Sequence, residues 1–258
     1  KQLSHANDQL YASVKLGKVE KRITTATDGA ELHSWVIYPP DFDPKKKYPT
    51  LLYCQGGPQG ALSQFYSYRW NFQLMAAHGY IIIAPNRRGM PGYGVEWNEQ
   101  ISKDYGGQNM DDYLSAIDDL ATEPYVDKER IGCIGASYGG YSAYYLAAIH
   151  EGRFSSFIAH DGIFNWKSMY GTTEELFFLN WDLGGPYWDK NNKDAWASHT
   201  IFNPAERVAD WDTPILVIQG GLDFRVPIGQ GLEAFQAAQM QGIKSRLLYF
   251  PEENHWVL

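Results

Sequence analysis

An α/β fold, a mostly parallel sheet with helices on both faces, is what the apolar patterning of this 258-residue chain predicts. Short apolar runs at 50–54, 80–84, 130–134, 157–159, 214–219 and 246–250 alternate with stretches of helical period at 72–78, 110–121 and 231–240. Runs apolar on both pleat faces suit strands buried from both sides, and parallel neighbours need crossover connections of this length. One of these runs also turns abruptly, through Gly135-Ala136-Ser137-Tyr138-Gly139, into the small-residue helical stretch 140–148.

Taken in order, residues 1–16 are polar, show no sustained period and read as a linker. Residues 18–25 and 31–38 alternate around Thr27-Asp28-Gly29, an Asp-Gly turn, and predict a hairpin that Pro39-Pro40 ends. The strand at 50–54 runs into Gln55-Gly56-Gly57-Pro58. A helix at 72–78, closed by Gly79, precedes the strand at 80–84, and a Gly, Pro and Arg-rich loop at 85–94 leads to the helix at 110–121. The strand at 157–159 ends in His160-Asp161. Strands at 214–219 and 246–250 flank a helix at 231–240 that Gly242 caps. Residues 165–202 break the alternation with Trp166, Met169, Tyr170, Phe177, Phe178, Trp181, Tyr187, Trp188 and Trp196. Those aromatics either pack among themselves or wall a pocket.

A chain of this length buries roughly three quarters of its unfolded surface, so a large core is available. A net charge of −8, with no basic cluster beyond Lys45-Lys46-Lys47, argues against a nucleic-acid partner. The two cysteines, Cys54 and Cys133, fall inside apolar runs and read as small core residues rather than a disulfide framework. No apolar run is long enough to span a bilayer, no membrane contact is expected, and no signal-peptide pattern opens the sequence. The chain begins at Lys1 and ends three residues after His255, as expected of a piece of a longer polypeptide. A soluble location, periplasmic or cytoplasmic, is left open.

A strand that reverses into a helix around a glycine-flanked serine is the form of a nucleophile elbow, with Ser137 exposed at a helix N-terminus that favours negative charge. A serine hydroxyl needs a base, and the base needs a carboxylate to hold its tautomer. In the hydrolase order of serine, acid, histidine, the acid follows a late strand and the histidine follows the last one. Asp223 and His255 occupy those places, and His255 is the only histidine beyond Asp223. His160-Asp161 also sits at a strand end but precedes Asp223, which fits the order badly. His5, His33, His78, His150 and His199 read as surface or cap residues, and Asp210 and Asp212 fall before their strand, at the wrong end of a parallel sheet. No spacing of metal ligands is present, so neither a metal nor a cofactor is expected. The oxyanion of the tetrahedral intermediate would take the backbone N–H of Tyr138 and one from the Gly56-Gly57 turn.

Gly-Gly-Pro at 56–58, Asn86-Arg87-Arg88-Gly89 with Gly92-Tyr93-Gly94, Gly135-Ala136-Ser137-Tyr138-Gly139-Gly140, Asp223-Phe224-Arg225-Val226-Pro227 and Glu253-Asn254-His255 together resemble the catalytic domain of the prolyl oligopeptidase family of serine peptidases, over nearly the whole chain. The resemblance implies an α/β-hydrolase fold, Ser137, Asp223 and His255 as the triad, and Tyr138 and Gly57 as oxyanion donors. It also implies Arg225 as the holder of a substrate backbone carbonyl. Ile163, Trp166 and Met169 would line the pocket for a medium-sized hydrophobic residue before the scissile bond. Family members carry an upstream β-propeller and a helix after the catalytic histidine. Residues 1–16 would then be the linker from the propeller, and 17–258 a catalytic domain without its last helix; a homodimer is left open. Gln55 stands where some branches have tyrosine and the acylaminoacyl-peptidase branch usually has histidine, which leaves its role open. The expected activity is release of N-terminal dipeptides from short peptides. Acylaminoacyl-peptidase or carboxylesterase activity, and a non-catalytic binding module, are the alternatives.

Overall fold

The computed structural model describes residues 4–63 and 67–257. A single helical turn, α1 (Asp8–Tyr11), interrupts the otherwise irregular start. The hairpin β1 (Val19–Thr25) and β2 (Glu31–Ile37) follows, then β3 (Tyr48–Cys54), α2 (Phe72–Ala77), β4 (Ile81–Pro85), α3 (Val95–Glu99) and α4 (Gln108–Leu120). Next come β5 (Val126–Ala136), α5 (Tyr138–Ile149), β6 (Ser156–His160), α6 (Trp166–Tyr170), α7 (Leu176–Asp182) and α8 (Lys193–His199). A 3₁₀ segment at Pro204–Asp210, β7 (Ile215–Gly220), α9 (Gly229–Met240) and β8 (Ser245–Phe250) complete the order.

The strands of the described residues join one eight-stranded sheet in the order β1-β2-β4-β3-β5-β6-β7-β8. The hairpin pairs antiparallel, with itself and with β4; every other pairing is parallel. Alternate residues of the buried strands feed two cores. Leu52, Cys54, Ile81, Ile83, Cys133 and Phe157 face α4, α5 and α9, whereas Tyr53, Ile82, Ala84 and Ile134 face the side that α2 covers. That alternation is why the runs contain no polar break. On the second side Leu51, Ile134, Ile158 and Ile218 also line an open groove of about 540 Å³. Cys54 and Cys133 are buried and free, their sulfurs 3.7 Å apart. Among the described residues no helix is long and apolar enough to cross a membrane.

The differences from the sequence reading are local. β5 starts at Val126 rather than 130, because Val126 pairs with Tyr48 before a register shift. α2 has a side-chain cap, Asn71, whose Oδ1 accepts the N–H of Leu74. The aromatic stretch divides: Tyr170, Tyr187, Trp188 and His199 pack on one another, Trp166 and Met169 turn toward Ser137's side of the sheet, and Trp181 and Trp196 are exposed, in neither of the two roles expected.

Candidate active site

The parallel strands present their C-terminal ends along one edge, and the site is assembled there. Ser137 joins β5 to α5 at φ 60° and ψ −122°, a left-handed conformation that a non-glycine residue adopts only when its surroundings impose it. Packing explains the flanking glycines. A Cβ on Gly139 would lie 2.0 Å from the carbonyl oxygen of Cys54, and one on Gly135 2.4 Å from that of Gly139. The N–H of Ser137 donates to the carbonyl of His160 (2.9 Å), tying the elbow to the end of β6.

Asp223, in the loop after β7, is buried and held rigidly: its Oδ1 accepts the N–H groups of Arg225 (3.0 Å) and Val226 (2.8 Å). Its Oδ2 lies 2.6 Å from Nδ1 of His255, which follows β8 and is also buried. A carboxylate only accepts, so Nδ1 carries a hydrogen, and in the neutral ring Nε2 is the nitrogen with the lone pair. Ser137 and His255 line the same cavity of about 610 Å³.

Gly57 (φ 125°) borders this cavity, and the turn approaches the elbow so closely that a Cβ on Gly56 would sit 3.4 Å from that of Ser137. Gln55, also in the lining, accepts the Tyr53 hydroxyl through Oε1 (2.9 Å). Beneath the turn lies Arg87, fully buried. Its guanidinium donates to the carbonyls of Pro58 (2.9 Å), Arg88 (2.8 Å) and Gln55 (3.3 Å) and to the Tyr113 hydroxyl (3.1 Å), and it stacks 4.7 Å over the Tyr138 ring. The sequence marked Arg87 only as part of a motif; nothing in its neighbours revealed that it clasps the carbonyls on either side of Gly56-Gly57.

The expected pocket residues converge. Ile163, Trp166 and Met169 line the cavity with Tyr105, Phe177 and Phe178. Tyr105 is fixed by its hydroxyl, which donates to Asp182 (2.5 Å). Arg225 stands in the same lining with Nε 3.1 Å from Glu175, itself a lining residue, and Nη2 3.5 Å from Glu174. Trp256 lies between two cations, 5.0 Å from Arg69 and 5.9 Å from Arg225. No motif pointed to Glu175, which sits inside the aromatic excursion.

His160-Asp161 arrives at the site as well. Asp161 lies against Asp223 and His255, the three offering ligand atoms within 4.8 Å of one another. Its place at a strand's C-terminal end allowed His160-Asp161 to lie near the site, but spacing did not show that Asp161 meets Asp223 and His255, because the three come from separate loops; the direct 2.6 Å contact between Asp223 and His255 makes those two a hydrogen-bonded pair. The remaining histidines lie elsewhere. His150 caps α5 and meets Asp212 at 3.1 Å. His199 differs from the surface or cap role expected of it: it is buried in the aromatic cluster, and burial lowers its pKa.

A parallel sheet whose fifth strand turns through Ser137 into a helix defines the α/β-hydrolase class. Within that class the chain belongs to the prolyl oligopeptidase family, whose profile matches residues 66–258. It is 59% identical over 239 residues to the dipeptidyl-peptidase 5 of Porphyromonas gingivalis, covering 93% of this chain and 35% of that protein. It is 37% identical to the Schizosaccharomyces pombe dipeptidyl-peptidase 5, covering 90% of this chain and 34% of that one. The structure of Pyrococcus horikoshii acylaminoacyl peptidase superposes with a TM-score of 0.87 at 27% identity, over 99% of this chain and 40% of that one. The chain thus spans about a third of the length of these curated relatives.

Proposed function

We propose that the chain is the catalytic part of a serine peptidase that releases N-terminal dipeptides from short peptides. The observation that carries this reading is the buried 2.6 Å contact between His255 Nδ1 and Asp223 Oδ2, with Ser137 at the strained elbow in the same cavity. In this mechanism Nε2 of His255 takes the Ser137 proton as Oγ attacks the scissile carbonyl. The N–H groups of Tyr138 and Gly57 receive the oxyanion. The imidazolium then gives its proton to the departing amine, and water repeats the sequence on the acyl-enzyme. The apolar lining of Ile163, Trp166 and Met169 suits a hydrophobic residue before the scissile bond.

Arg225 would hold the carbonyl of the first substrate residue, and Glu175 favours a free amine beside it. Glu175 and Arg225 stand paired at 3.1 Å in the cavity lining, so a carboxylate for a free amine and a guanidinium for a carbonyl are available side by side. The Porphyromonas gingivalis relative's name, dipeptidyl-peptidase, agrees with this choice. The test compares kcat/KM on free-amine dipeptidyl, N-acetylated and simple ester substrates in the full-length protein. A strong preference for the blocked amine would overturn dipeptidyl release. Ser137→Ala is expected to lower kcat about 10⁴-fold or more; retention of most activity would remove Ser137 from its role.

The domain reading belongs to the same proposal. Residues 1–16 link 17–258 to an upstream β-propeller, and a helix after the histidine loop covers the apolar groove of Leu51, Ile134, Ile158 and Ile218. The greater length of the relatives supports further domains.

A further inference from the structure

Asp161 follows β6 at φ 44°, a conformation unusual for a residue with a Cβ, and its side chain is wholly buried. Its Oδ1 accepts the N–H of Gly220 at the end of β7 (2.8 Å). Among the described residues its Oδ2 has no hydrogen-bond donor, and it sits 3.0 Å from Nε2 of His160, within ion-pair reach but out of line for a hydrogen bond. A turn here would be more comfortable with glycine, and capping Gly220 needs only a neutral acceptor. What neither explains is a carboxylate placed within 4.8 Å of both Asp223 and His255.

We infer that Asp161 is a positioning residue for the reaction proposed above: its buried carboxylate sets a second negative charge beside the Asp223–His255 pair and favours the imidazolium formed when Ser137 gives up its proton. The inference rests on the reading of Ser137 as nucleophile. The proton passes from Ser137 Oγ to His255 Nε2 and on to the leaving group; Asp161 acts through its field and neither gains nor loses a proton. The charged and titratable groups around it are His160 of β6, Asp223 after β7, His255 after β8, Tyr144 of α5, and Arg69 of the segment before α2. Two of them register it at a distance. Burial, and then the Asp161 charge, raise the Tyr144 hydroxyl, and the same charge opposes the lowering that burial imposes on Arg69.

Asp161→Asn separates charge from scaffold, because asparagine tolerates the left-handed conformation and still accepts the Gly220 N–H. In the full-length protein, kcat/KM on a dipeptidyl chromogenic substrate and the rate of fluorophosphonate labelling of Ser137 are followed from pH 5 to 9. The acid limb is expected to move down by about one pH unit in both profiles, as removal of a charge within 4–6 Å produces. On the plateau kcat falls roughly tenfold with KM within about threefold, the range of a weakened general base. Should Asp161→Asn not fold, Asp161→Gly relieves the backbone and is expected to show the same shift. An acid limb within about 0.2 pH unit of wild type, in a variant that folds, overturns this inference alone. A folded wild type that takes no label overturns the reading of Ser137, and this inference with it.

Discussion

Gly140→Ala tests how Ser137, the proposed nucleophile, is placed. Gly140 lies in the second half-turn of α5, three residues after Ser137, where the helix crosses the end of β6. A Cβ there would stand 2.6 Å from the Cα of Gly162, 2.9 Å from the carbonyl oxygen of His160 and 3.0 Å from the nitrogen of Gly162. All three are backbone atoms, so no side chain can swing aside. Ordinary contact begins at 3.4 Å, so helix and strand end must part by about 3.4 − 2.6 = 0.8 Å. Alanine gains about 1 kcal/mol over glycine in a helix interior. Overpacking against fixed backbone costs about 3 kcal/mol, the upper end of its usual range, and wins. The net loss of about 2 kcal/mol corresponds to a melting temperature lower by about 4–8 °C for a domain of this size. A displacement of nearly 1 Å at the elbow lowers kcat about 10²-fold. Circular dichroism melts and kcat on a dipeptidyl chromogenic substrate check both figures. Gly152→Ala is the control: at φ 77° with nothing within 4 Å, it loses about 1 kcal/mol to strain and leaves kcat unchanged. If Gly140→Ala melts within 1 °C of wild type and keeps kcat within about threefold, the contact between α5 and β6 does not set the position of Ser137.

Two further outcomes follow from buried charges. Arg87→Met removes the donors to the carbonyls of Gln55 and Pro58 that bracket the Gly56-Gly57 turn, the proposed source of an oxyanion donor, and is expected to lower kcat by about 10–10²-fold, somewhat less than loss of an oxyanion donor itself. Steady-state kinetics on folded protein decide it, and kcat within about threefold of wild type would sink the role given to Arg87. Burial pushes the Asp112 carboxyl up to about 6, against the opposing N–H and charge of Arg88. Between about pH 4, the unfolded value, and pH 6 the native state therefore holds the extra proton, and stability falls as pH rises through that window. Asp112→Asn removes this slope, so the stability of the variant relative to wild type should rise by on the order of 2 kcal/mol from pH 4 to pH 6. Urea titrations at the two pH values measure it; a pH-independent difference would contradict a burial-raised Asp112.

The elements were legible where one local period dominated. Ile81-Ile82-Ile83 had to be a doubly buried strand, and Thr27-Asp28-Gly29 had to turn a hairpin. What blurred were ends set by partners: β5 reaches back to Val126 because Tyr48 lies opposite, and the polar residues 127–130 conceal that from any local pattern. The candidate site was legible for a topological reason. A parallel sheet collects the C-terminal ends of its strands on one edge, so once the glycine-flanked elbow pointed to Ser137, chain order singled out Asp223 and His255 as its candidate partners. The same reasoning set His160-Asp161 aside, because order ranks residues without measuring distance.

The sequence by itself determined the alternation of strands and helices, the glycine-flanked elbow, and which acid and histidine follow it. These depend on period and order along the chain. Only the tertiary structure decided that Arg87 clasps the turn at Gly56-Gly57, that Glu175 stands against Arg225, and that Asp161 lies beside Asp223 and His255. Each of those contacts joins residues from separate loops or strands whose approach is set by strand pairing and helix packing, and such distances have no counterpart in sequence spacing.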